Sequence, residues 1–201
     1  MSTRLLGQDL QIPEGLDLDE FVKNCCGVVY SAGADTTAAA LRNFTLAMMV
    51  YPDVQRKAQE ELDHVVGRDR LPTFDDRARL SYTSKIMKES LRWKAVSPLG
   101  VPHATLDEDE YHGASIPSGT TVLANIICPG RFFAEDSLFL TIASMLHIFS
   151  IAPPEGASAE DILRGVKWSS GLVSHPTTFP LKLTPRFEGA PSIVHAAQST
   201  I

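Results

Sequence analysis

Apolar residues recur at helical intervals through Leu18, Phe21, Val22, Cys25, Val29, Leu41, Phe44 and Met48, and Pro52 ends the run. Asp17 is a suitable N-cap, and Asp17 with Glu20 has capping-box spacing. The spacing predicts a helix of about 33 residues, close to 50 Å long at about 1.5 Å per residue. A polar, small-residue island, Ala32-Gly33-Ala34-Asp35-Thr36-Thr37, interrupts its apolar pattern. Pro52 also suits the first turn of a second helix, carried by Val54, Ala58, Leu62 and Val65 and closed by Gly67. A third helix is predicted from Tyr82 to Lys94, with Pro98 beyond it.

After Pro98 the pattern turns extended. Val101 to Thr105, Tyr111 and Ser115 to Ile126 read as strands broken by turns at His112-Gly113 and Ser118-Gly119. A fourth helix is predicted from Arg131 to His147, with Phe133, Leu138, Ile142 and Met145 as its buried stripe. The rest is loop-rich, with Pro153-Pro154 and a hairpin expected around Gly171 to Leu183. Residues after Phe187 are weakly patterned and are read as a flexible tail. The expected organisation is a lead-in over 1–16, one unit over 17–187 and a tail over 188–201, mainly α with a small β region.

Composition narrows the functional classes. Of 201 residues, 44% are hydrophobic and 21% charged, enough apolar material for one core of moderate size. The formal net charge of −6 offers no general basic surface for nucleic acid. No stretch reaches about 18 consecutive uncharged apolar residues, so no membrane span is expected and the chain is read as soluble. Cys25, Cys26 and Cys128 are all the cysteines, too few and too apolar in context for a disulfide framework. A metal site built from all three would need distant segments to converge.

Three short constellations carry candidate chemistry. In the island, Gly33 leaves the helix backbone open to a ligand. Thr36 supplies a hydroxyl that can bond back along the helix or turn to a ligand, and Asp35 supplies a carboxylate for proton transfer. A tight helix crossing with a solvated Asp would give the same residues. Glu89 and Arg92, three apart, share a helix face and can pair, as many exposed helices do. Cys128 stands directly before the fourth helix, in Ile127-Cys128-Pro129-Gly130-Arg131. A helix N-terminus favours thiolate, and Gly130 lets backbone N–H groups, its own and that of Arg131, approach the sulfur. Such a thiolate suits a single-point soft ligand to iron, whereas zinc needs about four ligands. A buried structural cysteine is the alternative.

In order, these constellations resemble the oxygen-activating helix, the E-x-x-R helix and the cysteine ligand loop of cytochromes P450. Val96-Ser97-Pro98-Leu99-Gly100-Val101-Pro102-His103 is similar to the family's stretch after E-x-x-R, and Gly171-Leu172-Val173-Ser174-His175-Pro176 through Pro185-Arg186 to its C-terminal hairpin. The resemblance runs from about Asp17 to Arg186 and implies the C-terminal half of that fold. It implies a haem b held by the Cys128 thiolate, with Ala32, Gly33 and Gly130 beside it and His103 as partner of a haem propionate. Thr36 and Asp35 would serve oxygen activation, and Glu89 and Arg92 would be scaffold. Leu99, Val101, Leu172 and Val173 would face substrate. The implied reaction inserts one oxygen atom into a small organic substrate, with electrons from NADPH through cytochrome P450 reductase. The implied location is the cytosolic face of the endoplasmic reticulum membrane, the anchor lying in a part of the family chain not present here.

The sequence departs from the family at one place. The ligand loop should read F-x-x-G-x-R-x-C-x-G, but Thr121, Ala124 and Ile126 stand where Phe, Gly and Arg belong. A meander that carries an Arg partner for Glu89 and Arg92 would lie between Ile126 and Ile127, and no residues correspond to it. The chain is therefore expected to be incomplete and catalytically inactive. The alternative from another class is a helical interaction module that binds no haem.

Overall fold

A computed structural model describes residue 15 and residues 17–123 and 128–198. Helix α1 spans Leu18–Val50, and the Asp17 carboxylate accepts from the N–H groups of Asp19 and Glu20 at 2.6 and 3.3 Å. Its second half is buried from Ala39 onward, whereas Val28, Val29 and Tyr30 in the first half face solvent. Helix α2 (Pro52–Val65) begins on Pro52 and leads into Gly67, whose φ of +79° reverses the chain. Helix α3 (Ser81–Trp93) borrows its cap from α2, because Glu61 accepts from the N–H groups of Tyr82 and Thr83 at 2.8 and 2.9 Å. The 3₁₀ turn Phe74–Asp76 sits before α3.

Asp76 organises that connector. It is buried and accepts from Arg70, Arg79 and the Thr73 N–H. The Arg70 guanidinium, with help from Thr73, outweighs burial and holds the carboxyl well below the usual range. The depressed value stabilises the fold above the ordinary aspartate range, and that contribution is lost as pH falls through and below it. Asp76→Asn is therefore expected to lower the unfolding midpoint at pH 7 and to flatten its decline below pH 4, measured by thermal melts across pH.

Two short antiparallel ribbons follow. Strand β1 (Pro102–Ala104) pairs with β4 (Thr121–Leu123), and inside them β2 (Asp109–Tyr111) pairs with β3 (Ala114–Ile116). The β2–β3 turn is His112-Gly113, both at positive φ, as a two-residue hairpin turn requires. Helix α4 (Arg131–Ile148) runs into β5 (Phe149–Ala152), and α5 (Ala159–Gly165), β6 (Lys182–Pro185) and α6 (Ala190–Gln198) complete the described chain. The core gathers Phe44, Leu46, Leu62, Leu80, Met87, Phe139, Ile142 and Leu146 from the second half of α1, from α2, from α3 with the residue before it, and from α4.

Three sequence expectations change. The hairpin around Gly171 to Leu183 is displaced: a small reversal closes earlier, at the Trp168–Pro176 bridge, and β6 pairs instead with β5, Ile151 opposite Leu183. The weakly patterned tail carries α6, where Pro191 sits in the first turn and suits a helix start. Phe133, placed on the buried stripe of α4, is 74% exposed, whereas Leu138 and Ile142 on that stripe are buried. Residues Ile126 and Ile127, where the missing meander is placed, lie outside the described residues.

Candidate functional site

The island occupies the exposed half of α1. Thr36 donates its hydroxyl to the Ala32 carbonyl at 2.6 Å, so it is turned along the helix. Ala32, Gly33 and Asp35 are exposed, and a Cβ added to Gly33 would meet no atom within 4 Å. The backbone there is open, as ligand approach would need. Asp35 is not free: its Oδ1 lies 3.1 Å from Nε2 of His175. His175 is set by the small reversal, where its N–H donates to the Ser169 hydroxyl at 2.9 Å and its carbonyl accepts from the Ser169 N–H at 2.9 Å. The neighbouring Ser174 N–H donates to the Val96 carbonyl at 2.7 Å. Island, reversal and the segment after α3 thus converge. Sequence reading noted His175 within a motif but gave it no role, and nothing in the sequence pairs it with Asp35.

Cys128 lies exposed at the head of α4. Gly130 lies beside the sulfur: a Cβ there would stand 3.7 Å from Sγ, an ordinary van der Waals contact. The Arg131 N–H, expected to aim at the sulfur, instead donates to the Cys128 carbonyl at 3.0 Å and closes the turn into the helix. Arg77 fixes the orientation of α4: it pairs with Asp136 and, at 3.8 Å, with Glu135, and its guanidinium stands 5.1 Å from the Phe139 ring centre. Phe132 and Phe133, beside Cys128 in sequence, are exposed, as are Leu99, Val101, Leu123 and Leu172. His103 is exposed on β1. No hydrogen bond or ion pair among the described residues joins Cys128 or His103 to the island.

Glu89 and Arg92 do pair, through two bonds of 2.7 and 2.5 Å. The Arg92 hydrogen bonds hold the Glu89 carboxyl below its ordinary range. Both side chains are open to solvent, 57% and 73% exposed. They rim a groove of about 430 Å³ with Tyr51, Tyr82, Ile86 and Trp93. Among the described residues no group of three or more His, Cys, Asp or Glu could hold a metal, so the three cysteines form no shared site there. No described helix is long and apolar enough to cross a membrane.

Comparison with known proteins places these features in a family. A family model described as Cytochrome P450 matches residues 2–127. The chain is 36% identical to the cytochrome P450 monooxygenase claT of Ampulloclitocybe clavipes, over 92% of this chain and 47% of the relative. It is 38% identical to cytochrome P450 monooxygenase 58 of Postia placenta, over 81% of this chain and 40% of that relative. A solved zebrafish cytochrome P450, in a structure with abiraterone, matches with a TM-score of 0.75 at 24% identity, over 92% of this chain and 51% of that one. The chain spans about half the length of the curated relatives it matches. The claT alignment extends over 231 residues, while 92% of this chain amounts to about 185; about 46 alignment positions therefore have no residue here.

Proposed function

The chain belongs to the cytochrome P450 family, and from that premise we propose that it carries the ligand half of a haem-thiolate monooxygenase site, incomplete as it stands. The observation that carries the reading is Cys128: an accessible thiol at the head of α4, beside Gly130, with no competing ligand cluster among the described residues. Those residues would fit a haem iron that takes one soft ligand from the protein. Haem bound there supplies activation of dioxygen, for which thiolate ligation is suited.

The chain's own residues then have distinct tasks. Cys128 would hold the iron, and α4, pinned by Arg77, sets where that thiol stands. Thr36 is poised between its bond to Ala32 and a ligand on the open side of Gly33. Asp35, held by His175, is the carboxylate through which protons reach that hydroxyl. His103 would serve a haem propionate, and Glu89 and Arg92 would support the loop around the haem. Leu99, Val101, Leu172 and Val173 present apolar surface to a small organic substrate, with electrons from NADPH through a reductase at the endoplasmic reticulum membrane.

Incompleteness rests on two observations. Of the apolar side chains that would line the site, Leu99, Val101 and Leu172 are exposed, so those described residues do not exclude water. Alignment positions without residues, and a family-model match that stops at residue 127, support a missing meander before Cys128. Without its Arg, one propionate forgoes a charge-assisted hydrogen bond of about 1.5–3 kcal/mol.

The test is a carbon monoxide difference spectrum of the chain mixed with haemin and reduced with dithionite. The expected result is a weak red-shifted Soret band of the thiolate type, well below one haem per chain, that disappears in Cys128→Ser. An unligated or imidazole-type spectrum unchanged by the substitution would remove Cys128 as ligand and favour the haem-free interaction module. A full-occupancy thiolate band would instead show that this half assembles the site by itself.

A further inference from the structure

The last turn of α4 holds a side chain that the oxygenase reading does not use. His147 is fully buried, and neither ring nitrogen has a hydrogen-bond partner. Its carbonyl and that of Leu146 accept from Arg186 at 2.9 and 3.4 Å. A helix C-terminus leaves such carbonyls unpaired, so Arg186 caps α4 from the strap formed by β6, Arg186, Phe187 and α6. The same guanidinium reaches Asp63 Oδ2 at 2.9 Å, and Arg68 reaches that oxygen at 2.7 Å. The Phe187 ring stands 5.8 Å from the imidazole, with the Arg68 guanidinium 5.4 Å from its centre.

The charged groups around the imidazole are Asp63 from α2, Arg68 and Arg70 from the connector that follows it, and Arg186 from the strap. Asp63 is shared between Arg68 and Arg186, and the Arg70 guanidinium is taken up by Asp76. The surroundings are therefore cationic on balance. A second cation here would sit without water and against the residue that caps the helix.

We propose that His147 is a proton-operated latch: the strap stays closed over the neutral ring and lets go of α4 when the ring takes up a proton. Burial first, and then the Arg186 charge, hold the ring below its ordinary value; Asp63 acts in the opposite direction, and the Arg70 backbone is near without hydrogen-bond geometry. Burial alone would raise the Asp63 carboxyl, but Arg68 and Arg186 more than offset it and keep the group charged above the carboxylate range. The imidazole, held below its ordinary value, is thus the group of this cluster whose charge changes as the solution turns acid. The open strap lets the ring protonate at its ordinary value of 6.5, the closed strap resists it, and so opening is favoured as pH falls through 6.5 and below.

Hydrogen–deuterium exchange of the full chain, read by mass spectrometry from about pH 7.5 to about pH 5 and corrected for intrinsic exchange, tests the latch. Peptides within 182–198 are expected to exchange about tenfold faster at the acid end, while those within 39–49 hold steady. In His147→Leu the acid response of the strap is expected to vanish. An unchanged strap in the wild type, a response retained in His147→Leu, or greater protection in acid (a new His147–Asp63 pair) would each overturn the proposal. Should His147→Leu not fold, the ring is titrated by NMR in the wild type: protonation at the ordinary value with the strap still protected overturns it equally.

Discussion

Gln55→Leu is expected to destabilise the protein by about 3 kcal/mol or more, because it strands three buried backbone groups that each cost about 1–3 kcal/mol unpaired. Gln55 is buried in α2, and its amide acts as one more rung on the outer edge of β5. Its carbonyl accepts from the Ile151 N–H at 2.7 Å, and its NH₂ donates to the Ile151 carbonyl at 2.8 Å and to the Met48 carbonyl at 3.2 Å. Leucine has similar bulk and fills the space, so the loss isolates the hydrogen bonds from any cavity. Gln59, which bonds both Gln55 and the Phe149 carbonyl, loses a partner as well. Urea unfolding of Gln55→Leu and Gln55→Glu checks the account. Glutamate keeps the acceptor for the Ile151 N–H and loses the donor, so both variants fall, by separate routes. A Gln55→Leu protein as stable as the wild type would mean that β5 finds other partners for Ile151.

The same residue shows where sequence reading stops. Local signals were legible: Asp17 as N-cap, Pro52 as a helix start, His112-Gly113 as a turn, each set by one or two residues and their own backbone preferences. Gln55 meets Ile151 across 96 positions, and nothing in a polar residue on an otherwise amphipathic helix announces a partner so distant. The β5–β6 pairing was missed for the same reason, since Phe149–Ala152 continues the apolar run of α4 and its partner lies some thirty residues on. Phe133 fails differently. Helical periodicity identifies which residues share a face, but not whether anything covers that face, and here the first turns of α4 stand uncovered. The three motifs were legible in order; the contact of Asp35 with His175 required the fold.

Restoring the meander proposed to be missing before Cys128 is the change with the largest expected effect on function. A segment of about 46 residues, taken from the claT relative, would be inserted between Ile126 and Ile127, where the reading places the break. The physical reason is in the geometry of α3. Glu89 and Arg92 now satisfy only one another, in solvent, where such a pair adds little. With the meander's Arg beside them and the 430 Å³ groove at Tyr51, Tyr82 and Trp93 filled, the pair becomes part of a desolvated network whose hydrogen bonds are stronger. The approach to Cys128 would then come from a supported loop, and a donor would stand two residues before the sulfur for a propionate. Haem occupancy is expected to rise at least tenfold over the unmodified chain, with a thiolate-type carbon monoxide band that Cys128→Ser abolishes; Glu89→Ala in the extended chain should cancel most of the gain. If occupancy does not change, the break before Cys128 is not what limits haem binding. The first half of α1, with Val28, Val29 and Tyr30 bare, then becomes the limiting surface, and restoring protein on that face is the next comparison.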